Sequence, residues 1–430
     1  MSSRFQYTLV TLSGVLVALL LVGVLLGQNR PAQSSDPYRH LNVFTEVLAK
    51  IKSDYVEEPD MKSVSLGAIN GLLVSLDPFA CYLNADQYKQ YLRTLENPKG
   101  GVGLILSRKY GYELSVVDAI PGSPADREGL TTGDIIEAIN GILTRDMPLA
   151  FADVLLHGEP GTEVELRVLR LSRPEPMTVK LKRAVVTPPP LEARMLDGAT
   201  GYVAVTDLTA GKAEKVAEAV RELAGKGARK LVLDLRHAAL SEPAEGVLLA
   251  DLFLDKGVIA TLEGQKVKKQ VFEASPAKTV YRGPLVVLTN RGTTGAAEIA
   301  AAALAANKRA ELVGERTYGD AAVRKPVPAG DGGAVIMAVA KYHAPDGKAI
   351  NETSVTPQHP VSDVEPPQTM DEEEGAAAPP SDLKQPEKKE DTVLKKALEI
   401  LAGKAEQAHA APAAAPAAAA GRATTLHKGA

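Results

Sequence analysis

The chain has 430 residues, 45% of them hydrophobic, enough for two or three domains and at least one full core. A net charge of -4 without a dominant basic cluster argues against a nucleic-acid backbone as partner. One cysteine, Cys81, excludes an intramolecular disulfide, and no Cys/His group has zinc-ligand spacing, so neither metal nor cofactor is expected.

From the N-terminus, no charge interrupts the stretch between Arg4 and Arg30, and Leu9 to Gly27 is almost wholly apolar. About nineteen helical residues rising about 1.5 Å each match a bilayer's hydrocarbon core. Residues 1–30 therefore read as an uncleaved membrane anchor. A cleaved signal is the alternative, with Ala32-Gln33-Ser34 a poor and distant cleavage site. After a polar linker, Leu41, Phe44, Val47, Leu48, Ile51 and Tyr55 fall at the spacing of an amphipathic helix. Leu66 to Leu76 reads as a second helix, stopped by Asp77-Pro78, and Ala85 to Leu95 as a third. Residues 37–98 thus form a small helical domain.

From Gly100 short β-type runs alternate with Gly and Pro: 101–106, 114–117, 135–139, 164–169 and 177–181. They delimit a β-domain over 99–186, and Pro188-Pro189-Pro190 marks a hinge after it. Between 190 and 361, strands at 201–205, 230–235 and 285–288 alternate with helices at 212–225, 244–254 and 296–306. That order predicts a mainly parallel sheet covered by helices, so the whole is a multidomain α+β chain. Residues 362–430 read as a mostly disordered tail. It carries a Pro-rich acidic stretch, with Asp371 to Glu374 as solvated spacer, and an Ala/Pro run over 408–420. Val393, Leu394, Ala397, Leu398 and Leu401 mark one short helix in it, at 392–403.

Within 99–186, Pro121-Gly122-Ser123-Pro124-Ala125, Glu128-Gly129-Leu130, Gly133-Asp134-Ile135-Ile136 and Asn140-Gly141 precede His157-Gly158-Glu159-Pro160-Gly161-Thr162. This series resembles a PDZ domain of the kind found in carboxyl-terminal processing proteases. The resemblance implies that Gly101, Val102, Gly103 and Leu104 offer backbone N–H groups to a peptide's terminal carboxylate, the strand edge beyond accepting the peptide by β-augmentation. The flanks are similar too: Gly67-Ala68-Ile69-Asn70-Gly71-Leu72 before Leu76-Asp77-Pro78 resembles the family's helical segment, and 190–361 its crotonase-like peptidase core.

Members of that family use a serine whose proton passes to a lysine, while backbone amides hold the oxyanion. Their Gly-Ser-Ala-Ser-Ala-Ser-Glu is matched here by Gly292-Thr293-Thr294-Gly295-Ala296-Ala297-Glu298, which puts Gly295 at the nucleophile position. Their Gly-Glu-x-Thr-Phe-Gly-Lys-Gly-x-Val-Gln is matched by Gly314 to Arg324, so the lysine has become Asp320 and the supporting glutamine Arg324. Their Asp-Leu-Arg-Asn-Asn-Pro-Gly-Gly is matched by Asp234-Leu235-Arg236-His237-Ala238-Ala239-Leu240-Ser241, without either glycine. Three elements of one mechanism are replaced within otherwise matched sequence. Thr294 and Lys325 are the weak candidates for a substitute pair, but Thr293 and Thr294 read better as caps of the helix that follows. Asp234 and Arg236 read as a structural pair, His237 as a histidine without a nucleophile, and Cys81 as a packing residue at a family serine position.

The expectation is a non-catalytic member that binds protein C-terminal peptides, anchored in the inner membrane with its body in the periplasm. Further partners implied by the resemblance are an active peptidase homologue or a second copy of the chain. The alternative is an active serine-type or threonine-dependent endopeptidase.

Overall fold

The computed structural model describes residues 37–97, 99–108, 113–170, 173–362 and 390–410. The predicted anchor, the acidic run Asp371 to Glu374 and residues 411–420 of the Ala/Pro run lie outside the described residues. No helix among the described residues is long and apolar enough to cross a membrane.

The chain divides into two compact units at Ala68/Ile69. The first contains helix α1 (Pro37–Asp54) and the start of α2 (Met61–Val74). Leu41, Phe44 and Val47 share a face of α1 and are exposed.

The second unit begins within α2 and continues with strand β1 (Cys81–Leu83) and helix α3 (Ala85–Glu96). Asn84 starts α3 with a capping box: its side chain accepts from Gln87 N, and Gln87 answers to the Asn84 amide. A sheet domain follows. It holds β2 (Leu104–Ser107), β3 (Leu114–Ala119), the short helix α4 (Pro124–Arg127), β4 (Ile135–Ile139), β5 (Ile142–Leu143), α5 (Leu149–Leu156), β6 (Glu163–Arg170) and β7 (Arg173–Lys182). Its strand order is β2-β3-β4-β6-β7, with β5 on β4 and every pairing antiparallel. Val164, Leu166 and Val168 point inward while Glu163, Glu165 and Arg167 face water, the two-residue period of a half-buried strand. The Gly-Asp motif has a structural reason: buried Asp134 holds Thr131 N and receives a two-pronged Arg170 guanidinium at 2.7 and 2.6 Å.

The remaining elements build the core domain. They are β8 (Glu192–Met195), β9 (Thr200–Ala204), β10 (Asp207–Leu208), α6 (Lys212–Gly225), β11 (Lys230–Asp234), β12 (Leu240–Ser241) and α7 (Pro243–Asp251). Then come β13 (Val258–Gly264), β14 (Val267–Glu273), β15 (Leu285–Thr289), α8 (Ala296–Ala306), β16 (Glu311–Gly314), β17 (Ala322–Pro328), β18 (Ala334–His343), α9 (Ile350–Thr353), β19 (His359–Pro360) and α10 (Thr392–Ala410). One sheet runs β19-β16-β15-β11-β9-β8, parallel except for the β8–β9 pair. The central strands are apolar over Leu231–Leu233 and Leu285–Leu288 because both faces are covered there. Leu231, Leu233, Leu285 and Val287 pack with α6, α7 and α8, while Val232, Val286, Leu288 and Val313 turn to the other side.

Two features differ from the sequence reading. A second, antiparallel sheet, β1-β18-β13-β14 with β17 on β18, closes over the helices, so the core is not built on one mainly parallel sheet. Its outer strands alternate weakly and carry lysines, as in the Val-Lys-Lys-Gln-Val-Phe-Glu of β14, which hides the strand signal. The helix assigned to the tail continues to Ala410, and its Val393, Ala397 and Leu401 are buried against the outer face of the first sheet. Asp391 fixes its start by accepting from Leu394 N at 2.8 Å, and receives both arms of Arg236.

Candidate active site

Two loops converge at the N-terminus of α8. The first runs from β15 through Thr293, Thr294 and Gly295 into the helix; the second joins β16 to β17 through Thr317 and Asp320. Glu298, fully buried in the first turn of α8, ties them together. One carboxylate oxygen accepts from the Thr317 hydroxyl and from Gly319 N at 2.6 Å. The other accepts from Asp320 N at 2.7 Å and Gly295 N at 3.1 Å. Burial, with a smaller push from the Asp320 charge, raises the Glu298 carboxyl to about 7, and the hydrogen bonds from Asp320 N, Thr317 and Gly319 N pull the other way. Glu298 stood in the matched motif without an assigned role; its signal was a charged residue among eight buried apolar neighbours in one helix.

Gly295 lies at φ 55° and ψ -112°. Such a strained strand-to-helix turn exposes the nucleophile in many hydrolases, and only glycine adopts it without strain. The backbone of a nucleophile elbow is thus present, and no side chain stands on it. Asp320, at the position of the base, forms an ion pair with Arg324. That guanidinium also lies 4.3 Å from the Phe79 ring centroid and 4.0 Å from a carboxylate oxygen of buried Asp77. Gly295, Ser241, Thr294, Asp320 and Arg324 line a cleft of about 240 Å³.

The substitute pair is not brought together in that cleft. Thr294 is buried; its hydroxyl donates to the Ala239 carbonyl at 3.2 Å and its amide to the Ala238 carbonyl at 3.2 Å. Thr293 donates to Leu235 O at 2.8 Å and accepts from Asn290 N at 3.0 Å, so its hydroxyl closes the preceding turn; neither threonine caps α8, whose N-cap is Gly295. Lys325 is exposed on β17, one residue beyond Arg324, and successive strand residues face opposite sides. The segment matched to the family's oxyanion loop turns the Ala238 and Ala239 carbonyl oxygens toward Thr294. Both carbonyls are thereby taken up by Thr294.

His237 makes a connection that the sequence did not suggest. It sits at φ 60°, and its ring Nδ1 meets the Asp118 carboxylate at 2.8 Å, linking the core to β3 of the sheet domain. Burial alone would lower the imidazole pKa, but the Asp118 hydrogen bond and charge outweigh it and raise the group. Asp118 also closes over Gly292, where a Cβ would strike its carboxylate. Among the described residues the other ring nitrogen, Nε2, meets the Asn290 side-chain amide at 3.1 Å. Cys81 is buried beside Leu83 and Ile336, and burial pushes its thiol up to about 11, far from a thiolate nucleophile.

In the glycine loop, Gly101 spends its amide on Ala184 O at 2.9 Å. Among the described residues no acceptor is paired with the amides of Val102 or Gly103. Gly103 has φ 78° and packs on the Ser123 side chain, so no other residue fits there. Beside the loop, β2 is an edge strand. Ile105 of β2 and Leu149 of α5 pack against Phe79 and Tyr318, whose rings meet edge-to-face at 5.5 Å.

Comparison with known proteins agrees with this architecture. Residues 199–361 match the model of Peptidase family S41, and residues 115–170 that of a PDZ domain. The carboxy-terminal processing protease CtpA of Bacillus subtilis is 32% identical over 336 residues, which span 78% of this chain and 71% of that protein. A carboxyl-terminal-processing protease of Synechocystis is 31% identical over 318 residues, 72% of this chain and 74% of the relative. Among solved structures, the photosystem II D1 C-terminal processing protease superposes with a TM-score of 0.61 at 27% identity, covering 74% of this chain and 92% of that one. The chain belongs to the carboxyl-terminal processing protease family, with its PDZ domain and its S41 peptidase core.

Proposed function

We propose that this family member holds protein C-terminal tails without cutting them, its body outside the cytoplasm behind an N-terminal inner-membrane anchor. The observation that carries the reading is Gly295: the turn that should present a nucleophile has no side chain to present. The surroundings support it. The base position carries an anion already neutralised by Arg324, the threonine hydroxyls are spent on backbone carbonyls, and the loop matched to the family's oxyanion segment lacks both glycines.

Binding has a separate basis in the unspent amides of Val102 and Gly103 beside the edge of β2. An incoming tail competes with Phe79 and Tyr318 for Ile105 and Leu149. Partners of the same family, or a second copy, would gain from a module that retains tails and leaves cleavage to an active member.

Titrating the whole chain with a fluorescent peptide ending in small apolar residues tests this reading. A free carboxylate is expected to bind at least about tenfold more tightly than the same peptide amidated at its C-terminus, about 1.4 kcal/mol for charge-assisted N–H contacts. Equal affinity for the two peptides, or none for either, rules the tail-binding reading out.

A further inference from the structure

The site has lost its nucleophile, and a different residue has moved into the space. An ideal Cβ built on Gly295 would lie 2.5 Å from the Ser241 hydroxyl oxygen. That oxygen accepts from Ala296 N at 3.1 Å, the first amide of α8, which has no partner within the helix. We infer that Ser241 is a built-in plug: its hydroxyl fills the nucleophile's place and caps α8 in its stead, so a serine cannot return to position 295 while Ser241 holds its present position. The inference rests on the non-cleaving reading of the site and deepens it, because the nucleophile's place is then occupied as well as stripped.

The backbone leaves Ser241 little room to retreat. Strand β12 pairs in parallel with β10, Asp207 opposite Leu240 and Leu208 opposite Ser241. On the far side Glu242 N donates to Leu208 O at 2.8 Å, and Pro243 begins α7 directly afterwards. Only rotation about the Cα–Cβ bond remains. Turning the hydroxyl aside strips the Ala296 amide of its acceptor at a buried helix end, so steric exclusion and capping are two effects of one atom. A glycine at position 241, as in the family pattern, would do neither.

Chemical unfolding of the natural chain, Gly295→Ala, Ser241→Ala and the double variant tests the inference as a thermodynamic cycle. Gly295→Ala carries the strain of a positive φ in both backgrounds. With Ser241 present it also meets the hydroxyl, so its penalty in the folding equilibrium constant is expected to be about tenfold larger than in Ser241→Ala. A single alanine variant that fails to fold while the double variant folds is the same result in stronger form. Effects that multiply independently, within about twofold, overturn the plug. Hydrogen exchange of the Ala296 amide needs no change at position 295. Exchange about tenfold faster in Ser241→Ala supports the capping role, and unchanged protection overturns it. An additive cycle sinks the plug alone, whereas proteolysis by the natural chain sinks the non-cleaving reading and leaves the cycle standing.

Discussion

Glu298→Gln is expected to lower folding stability by about 3 kcal/mol, because the amide turns one set of N–H donors against another. Each oxygen of the carboxylate accepts two hydrogen bonds, from Thr317 and Gly319 on one side and from Asp320 and Gly295 on the other. Of these four, the three backbone amides can only donate, and the Thr317 hydroxyl alone could turn to accept. An NH₂ facing Asp320 and Gly295 strands two amides, and one facing Thr317 and Gly319 strands the Gly319 amide, in a fully buried place at about 1–3 kcal/mol for each donor before relaxation. Denaturant unfolding at pH 7.5 measures the loss. A change below about 1 kcal/mol would mean that Glu298 already carries a proton there and that its neighbours accept a donor. The structural weight of this residue explains how the two loops keep their arrangement whatever stands at the two matched positions: the clamp holds backbone atoms, and backbone does not depend on which side chains occupy 295 and 320.

Arg236→Met should be comparably damaging, at about 3–4 kcal/mol, for a different reason. The Arg236 guanidinium donates to both oxygens of Asp234, the shortest contact being 2.7 Å, and to both oxygens of Asp391 at 3.1 and 2.7 Å. Asp234 is only 4% exposed, and with the arginine gone its charge is left with the Tyr202 hydroxyl and the backbone amide of residue 236. Removing one partner of a buried pair is costly because the other stays charged and dry. Asp391 in turn loses its tether while still capping α10, so the amides of that helix should exchange faster along with the global loss. Exchange confined to the general loss of stability, with α10 no more affected than β11, would show that the pair does not hold the helix down.

The helices at 212–225 and 296–306 were legible to the residue, and the central strands within one position, since long apolar runs between helical periods leave few alternatives. The glycine and proline punctuation of the PDZ domain was equally direct: Ser123 caps α4 with Pro124 at its first position, and Gly103, Gly129 and Gly133 take positive φ. What stayed hidden was set by tertiary neighbours. Helix α5 has an almost continuous apolar sequence without helical alternation, because it is partly sheltered by β1, β2 and α3. Ser241 carries no local mark of its role; it reaches Ala296, 55 positions away, through the pairing of β12 with β10. The contact between His237 and Asp118 likewise depends on how the PDZ domain meets the core, which no spacing encodes.

The decisive measurement is the mass of an unstructured protein with an apolar C-terminus after prolonged incubation with the purified chain. An active S41 relative serves as a positive control. An unchanged substrate mass is the expected result, with no acyl adduct on the chain itself. C-terminally shortened products whose formation stops in Thr294→Ala would contradict it, since they would require that hydroxyl to leave the Ala239 carbonyl and attack a peptide bond.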